Sequence, residues 1–527
     1  MASLFAALAG LLLSLSPASL PPVDTTHLVL QRNWEIAGLR STSDSIVLRV
    51  LSTNDFHGAL LPRVQSWSNG REVGGAAAIA GMMGRLAREC GCPTLRLDGG
   101  DAMQGTPISN LTFGRAVVDA FNAMGIAASA VGNHEFDWSV DTLVARMRDA
   151  RFPWLAANIR TTATGARPAW AIPWRMVRAG PLRVGVVGYT TTLTPTVTRP
   201  DNVAALRFDG GAAAVDSAIV AARRDSADVV IVLAHEGAFC DERQGCRGEV
   251  IDLARSLTQR PDLIVSGHTH SLVNTVVNGI PIVQARSSGT ALGIVDVVAA
   301  PGGRTVRVRV ETVWADREPA DTAVARVVDA YRRRVEPLTS RPVATLAGAL
   351  TRRGDQYALG NLIADAYRAA ARADVAIVNN GGIRADLAAG PVSWGELFQV
   401  LPFQNYVTRL TVTGAVLHQA LDHAVGSGDA RAHVSGVRLT GMGDVPEGLR
   451  IQGVVLADGR AIRDDARYTL AVPDFLAAGG SGYAMLRGLP AQNTGVVDLD
   501  ALVNYLRRLP QPVRAPAEAR VTPPRPR

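Results

Sequence analysis

Five short stretches of this chain carry residues whose types could hold metal ions: Asp55-x-His57, Asp98, Gly132-Asn133-His134-Glu135-Phe136-Asp137, His235-Glu236 and Gly267-His268-x-His270. Imidazole, carboxylate and amide oxygen together suit Zn, Mn, Fe or Co, and the lack of thiolate among them argues against a structural zinc site. Taken singly, such a histidine is more often a hydrogen-bonded side chain than a ligand. Here His57, His235, His268 and His270, with His134 beside them, are five of only nine histidines. Coincidence is the poorer account. Asp55, His57, Asp98, Asn133, His235, His268 and His270 exceed what one tetrahedral ion uses, so two ions sharing a carboxylate is the economical arrangement. Such a pair lowers the pKa of a water and clamps the attacking and leaving oxygens of a displacement at phosphorus.

Each of these stretches follows an apolar run, at 46–51, 94–97, 127–131, 228–234 and 262–266, and a further run spans 183–188. Helical patterns separate the runs, at 75–88, 116–124, 140–150, 212–224 and 250–257. Strands alternating with helices predict an α/β domain with buried strands. Ligands in such sheets gather at the carboxyl ends of strands, where the polar clusters all fall. A first domain over 46–315 is expected, then a helix of mixed charge over 316–340 linking it to a second α/β domain over 341–509. The run Arg332-Arg333-Arg334 reads as a solvated helix face. Residues 510–527 are rich in proline and arginine and read as a disordered tail.

At 527 residues, with 47% hydrophobic and 19% charged residues, the chain is globular and has more than one domain. Its formal net charge is +7, and it contains no lysine. That excludes a Walker A loop, a Schiff-base lysine and pyridoxal phosphate chemistry. The excess charge favours anionic small molecules. No basic run is interleaved with aromatics, so nucleic acid is not an expected partner. Residues 1–18 read as an export signal, with an apolar core from Leu4 to Leu15 before Ser16-Pro17-Ala18, although no positive charge precedes that core. Residues 19–45 read as a leader. No stretch reaches about 18 uninterrupted apolar residues, so stable membrane insertion is not expected. A periplasmic or extracellular protein follows. Cys240 and Cys246 could close a small disulfide loop. Cys90-Gly91-Cys92 could pair or bind metal, and the connectivity stays open.

The motifs Asp55-x-His57, Asp98-Gly99-Gly100-Asp101, Gly132-Asn133-His134-Glu135 and Gly267-His268-x-His270 resemble the signature of the calcineurin-like metallophosphoesterases. Gly360-Asn361-Leu362-Ile363-x-Asp365 and Asn379-Asn380-Gly381-Gly382-Ile383-Arg384 extend the likeness to the exported 5'-nucleotidase and UDP-sugar hydrolase family, over about residues 46–490. The resemblance implies a four-layer sandwich, helices flanking two sheets, followed by a C-terminal α/β substrate-binding domain. It implies one divalent ion on Asp55, His57 and His270 and a second on Asn133, His235 and His268, with Asp98 bridging. His270 stands where some members carry glutamine or asparagine. His134 is the expected transition-state stabiliser or proton donor, oriented by Asp137, which could otherwise be a helix-start carboxylate.

In the second domain Arg353 and Arg384 are expected to grip phosphate and Asn379 the base, while Gly382 admits a close backbone approach. Phe403 and Tyr483 match the rings that sandwich the base. An acidic residue that some members place shortly after Tyr483 is absent, since Met485-Leu486-Arg487-Gly488 follows. Rotation of the second domain about residues 335–345 is expected to bring the two sites together. The implied activity is hydrolysis of nucleoside 5'-monophosphates, with UDP-sugars as further substrates. The alternatives are a 2',3'-cyclic-nucleotide phosphodiesterase, a sulfur-ester hydrolase and a catalytically silent nucleotide-binding surface protein.

Overall fold

The structure is a computed structural model describing residues 46–522 except 66, 242, 301–302, 355, 426–431 and 442–444. The export-signal and leader expectations lie outside the described residues. Apolar residues of the strand Ile46–Thr53 alternate in direction, as the pleat requires. Leu48 and Val50 point to a core shared by two sheets, and Leu51 points to a core under helices. The strand is buried on both faces, which is why its sequence is continuously apolar.

It sits inside a six-stranded sheet, parallel to Thr94–Asp98, which in turn runs beside Ala128–Ala130. The second six-stranded sheet places Val229–His235 between Leu182–Thr190 and Leu263–Ser266, all parallel. The sheets face each other across Leu97, Val184, Ile231, Val265 and Val295. Helices Ala76–Cys90 and Arg115–Met124 cover the outer face of the first sheet, and Ala213–Arg224 and Glu249–Ser256 cover that of the second. This is the expected four-layer arrangement. Because parallel strands all point the same way, their carboxyl ends converge on one edge.

Helix Thr322–Thr339 is more than a bridge. Its Val324, Val328 and Val335 belong to the first domain's helical core, and Tyr331 donates its hydroxyl to Asp119 at 2.6 Å. The chain then passes through Ser340 and Arg341 into the strand Pro342–Leu346. The second domain holds a five-stranded sheet of Ala432–Ser435, Val375–Asn379, Arg467–Pro473, Tyr406–Thr413 and Ala491–Val497. Helices Ala358–Ala371 and Asp498–Arg508 pack on one face and Gly414–Val425 on the other.

The expected disordered tail is ordered over 510–522. Val513 is buried and exchanges backbone hydrogen bonds with Thr345 and Ala347. Val521–Thr522 adds a parallel strand beside Val437–Gly441. Arg520 grips both oxygens of Asp365 at 2.7 and 2.8 Å, while Asn361 donates to the carbonyl of Glu518. Composition could not reveal this, because a strand and an arginine fork need partners more than apolar area. The Asn361…Asp365 motif is thereby spent on holding the tail.

Both cysteine pairs are joined, Cys90 to Cys92 and Cys240 to Cys246. Thiolate metal ligation at Cys90-Gly91-Cys92 is therefore excluded. Among the described residues no helix is long and apolar enough to cross a membrane.

Candidate active site

The ligand residues sit on the turns that follow the converging strands, and those turns are tight. Asp55, His57, Asp101, His268 and His270 all adopt positive φ, between 48° and 76°. Side-chain-bearing residues rarely do so, and strain of this kind collects where function fixes the backbone. Gly132 is required by close approach, since a Cβ there would lie 2.5 Å from the Asp101 nitrogen. Glu135 ties two turns together by accepting hydrogen bonds from the backbone N–H groups of Asp101, Ala102, Met103 and Gly132. Asn54 does the same on the far side. It donates to Asp55 and to the carbonyl of Arg286, and accepts from the backbone of Ala285.

Two groups of donors result. Asp55, His57 and His270 form one and Asp101, His235 and His268 the other, with the ligand atoms of each within 4.8 Å of one another. Asn133 joins the second, its Oδ1 lying 3.0 Å from His268 Nδ1 and 3.2 Å from His235 Nε2. Asp101 Oδ2 lies between the groups, 3.1 Å from His235 Nε2 and 3.9 Å from His57 Nε2.

Asp98, expected in that bridging place, is elsewhere. Thr53, Ser129 and the Gly100 N–H occupy its oxygens, so it braces the strand ends. Asp101, three residues on, replaces it. Both aspartates were visible in Asp98-Gly99-Gly100-Asp101. Only the turn geometry decides which one reaches the centre.

The donor set fits cations on its own chemistry. His57 Nδ1 meets the Gln104 carbonyl at 2.8 Å, and His235 Nδ1 meets the Gly99 carbonyl at 2.9 Å. A carbonyl only accepts, so each Nδ1 carries a proton and each Nε2 turns its lone pair, in the neutral ring, into the site. His57 Nε2 and His270 Nε2 approach to 2.9 Å, and burial holds both rings below the usual histidine range. Burial and the neighbouring His235 push His268 down to about 3. Burial raises Asp55 to about 7, with Asp101 adding to it against the opposing pull of His235. Burial opposes a proton on His235, but Asp101 and Asp55 outweigh it, raising that ring to about 10. The cluster thus demands positive charge among buried carboxylates and offers unprotonated nitrogens around it, the donor pattern that suits a divalent metal.

His134 stands beside the centre. Its backbone N–H donates to Asp101 Oδ1 at 2.8 Å, and its Nδ1 lies 2.7 Å from Asp137 Oδ2. The Thr198 hydroxyl donates to Asp137 Oδ1. Burial works against a proton on His134, yet Asp137 and Asp101 hold it above the usual histidine range.

A cavity of ≈ 210 Å³ is lined by Asp101, His134, His268 and His270 from the first domain and by Asn379, Gly382, Arg384 and Phe403 from the second. The His134 and Phe403 rings stack with centroids 5.4 Å apart. Tyr483, expected as the second ring, is 1% exposed and packs against His423 inside the domain core. Phe475, eight residues earlier, lines the cavity in its stead, with Asn405 and Ser481. Arg353 is exposed and lines neither this cavity nor its neighbour, because the turn that follows Leu350 leaves it in solvent. Gln104 was not foreseen. It is 1% exposed and lines the cavity, and its amide atoms have no partner among the described residues. Its position close to Asp101 in the motif was the only sequence signal.

Comparison with known proteins agrees with this geometry. The calcineurin-like phosphoesterase profile matches residues 48–272, and that of the 5'-nucleotidase C-terminal domain matches 342–488. The chain is 30% identical over 518 residues to a 5'-nucleotidase of Vibrio vulnificus, covering 88% of this chain and 90% of that one. It is also 30% identical over 516 residues to the endonuclease YhcR of Bacillus subtilis, with 91% of this chain covered but only 41% of that longer protein. Among solved structures, a 5'-nucleotidase precursor from Thermus thermophilus superposes with a TM-score of 0.82 at 26% identity, over 92% of this chain and 100% of that one. Two donor groups at the strand ends, a second domain closing over them and these matches lead to one conclusion: the chain belongs to the 5'-nucleotidase family of calcineurin-like phosphoesterases and is a metal-dependent phosphoester hydrolase.

Proposed function

We propose that the chain converts nucleoside 5'-monophosphates to nucleoside and inorganic phosphate. Asp55, His57 and His270 would hold one divalent cation and Asn133, His235 and His268 a second, with Asp101 within reach of both groups. The observation that carries this reading is a single cavity walled by the donor cluster on one side and by Phe403, Phe475, Asn379 and Asn405 on the other. Bound there, the cations supply a water of lowered pKa and neutralise charge on the phosphoryl oxygens.

The chain's own residues do the rest. Arg384 turns its guanidinium toward the phosphoryl position, and Gln104 offers its unpaired amide beside it. His134, whose protonated form Asp137 favours, gives a proton to the departing 5' oxygen or stabilises its charge. Phe403 and Phe475 hold the base, each stacking contact contributing on the order of 1–3 kcal/mol. Asn379 and Asn405 present amides to its polar edge. Gly382 lets the backbone approach. Closure of the second domain excludes bulk water from the reaction. The joined cysteine pairs support an exported protein, because disulfides persist in oxidising compartments.

The test is an assay of purified protein with Mn²⁺ or Co²⁺ against AMP, UDP-glucose and 2',3'-cyclic AMP. Preferred turnover of AMP is expected. Preference for the cyclic nucleotide would replace this reading, and no turnover of any of the three would leave a silent binding protein. Phe475→Ala should raise KM for AMP about tenfold or more while changing that for p-nitrophenyl phosphate little. Equal effects would remove Phe475 from base recognition.

A further inference from the structure

Beside the nucleotide cavity lies a second one of ≈ 280 Å³, and His270 and Arg384 line both. Its walls carry four arginines, two from each domain: Arg63 and Arg286 from the first, Arg352 and Arg384 from the second. Among the described residues one carboxylate lines it, Asp386, already paired with Arg352 at 3.0 Å. Arg63 reaches across the domain interface to a neutral partner, donating to Gln399 Oε1 at 2.7 Å. Arg286 lies 5.6 Å over the Trp67 ring. Burial, then Arg352, lowers Arg63 to about 10.

The turn carrying Arg286 is fixed to the reaction centre. The Arg286 carbonyl accepts from Asn54, the Ser288 N–H donates to the Asp55 carbonyl at 2.7 Å, and Arg286 and Ser288 both hold positive φ. Strained backbone braced against a ligand turn marks a built surface. Guanidinium groups gathered around one cavity repel one another, and Arg352 accordingly disfavours the charge on buried Arg63. An anion between them offsets that repulsion. Guanidinium is also the group whose fork geometry matches phosphate oxygens.

We propose that this second cavity binds a phosphate-type oxyanion between the two domains, next to the reacting phosphoryl group and distinct from it. Two sources share that chemistry: the distal phosphoryl group of a longer nucleotide, and released inorganic phosphate. The proposal rests on the phosphoester-hydrolase assignment and not on AMP being the substrate.

The test compares the holoenzyme with Arg63→Gln/Arg286→Gln and with Arg63→Gln alone, neither residue having a part in the chemistry derived above. Turnover of p-nitrophenyl phosphate and of AMP should change less than about twofold, and the melting temperature by less than about 2 °C. Each lost charge-assisted hydrogen bond corresponds to about tenfold in affinity. If product phosphate is the occupant, its inhibition constant rises about tenfold or more in the double variant while the ADP-to-AMP ratio of kcat/KM is unchanged. If a distal phosphoryl group is the occupant, that ratio falls by a similar factor. Unchanged phosphate inhibition together with an unchanged ratio would overturn the proposal. Should the double variant not fold, the same comparison is read on Arg63→Gln. Should the wild type not hydrolyse AMP, phosphate inhibition is read on p-nitrophenyl phosphate, so the two readings fail separately.

Discussion

His134 is useful only because of what holds it. Asp137 fixes its Nδ1, Thr198 fixes Asp137, and Phe403 covers the ring. Replacing His134 with Ala is expected to reduce turnover about 10²–10⁴-fold with metal content near normal. Unchanged turnover would remove it from the mechanism. The same separation distinguishes the two aspartates. Asp101→Asn is expected to lose bound metal and turnover together, as measured by elemental analysis and assay. Asp98→Asn, whose change falls among Thr53, Ser129 and Gly100, should keep its metal. Metal loss as complete in Asp98→Asn as in Asp101→Asn would return the bridging role to Asp98.

Elements position these residues through buried polar anchors more than through the core itself. Glu135 fastens two ligand turns in the first domain. Asp498, opening the helix Asp498–Arg508, does comparable work in the second, accepting from Asn405, which lines the cavity between the domains. Burial raises the Asp498 carboxyl to about 7. A carboxyl so raised takes up a proton in the folded state that the unfolded chain, with its carboxyl near about 3.9, has already released. Its contribution to stability is therefore full below about pH 4 and is lost as pH rises through about 7. Between about pH 5 and about pH 8 the melting temperature of the wild type should fall more steeply than that of Asp498→Asn. Parallel curves would show that Asp498 does not titrate in that window.

At the scale of the whole molecule the two domains are closed on each other. Asn110 donates to the Pro402 carbonyl at 2.8 Å, Arg63 to Gln399, and Arg199 pairs with Asp474 at 3.1 Å. Of these the Arg199–Asp474 pair is exposed, and such an ion pair contributes only about 0–1 kcal/mol. We expect a hinge at Ser340 and Arg341, where helix Thr322–Thr339 hands over to the second domain's first strand. Small-angle scattering should give a larger radius of gyration without ligand than with a non-hydrolysable AMP analogue. Identical profiles would rule the hinge out.

The order of strands and helices and the residue types of the metal centre were legible in the chain, because they follow from apolar periodicity and from ligand chemistry, both local, while the four layers were implied by the family resemblance. Which aspartate stands between the two donor groups, which aromatic lines the cavity and what becomes of the tail were not. Asp98 ends its strand while Asp101 sits in a left-handed turn three residues on, and Phe475 lies on the short helix Asp474–Ala477 that lines the cavity while Tyr483, between two single turns further on, packs into the core. Arg520 has a partner 155 residues away. Such choices depend on contacts between segments distant in sequence, and only the folded chain brings those segments together.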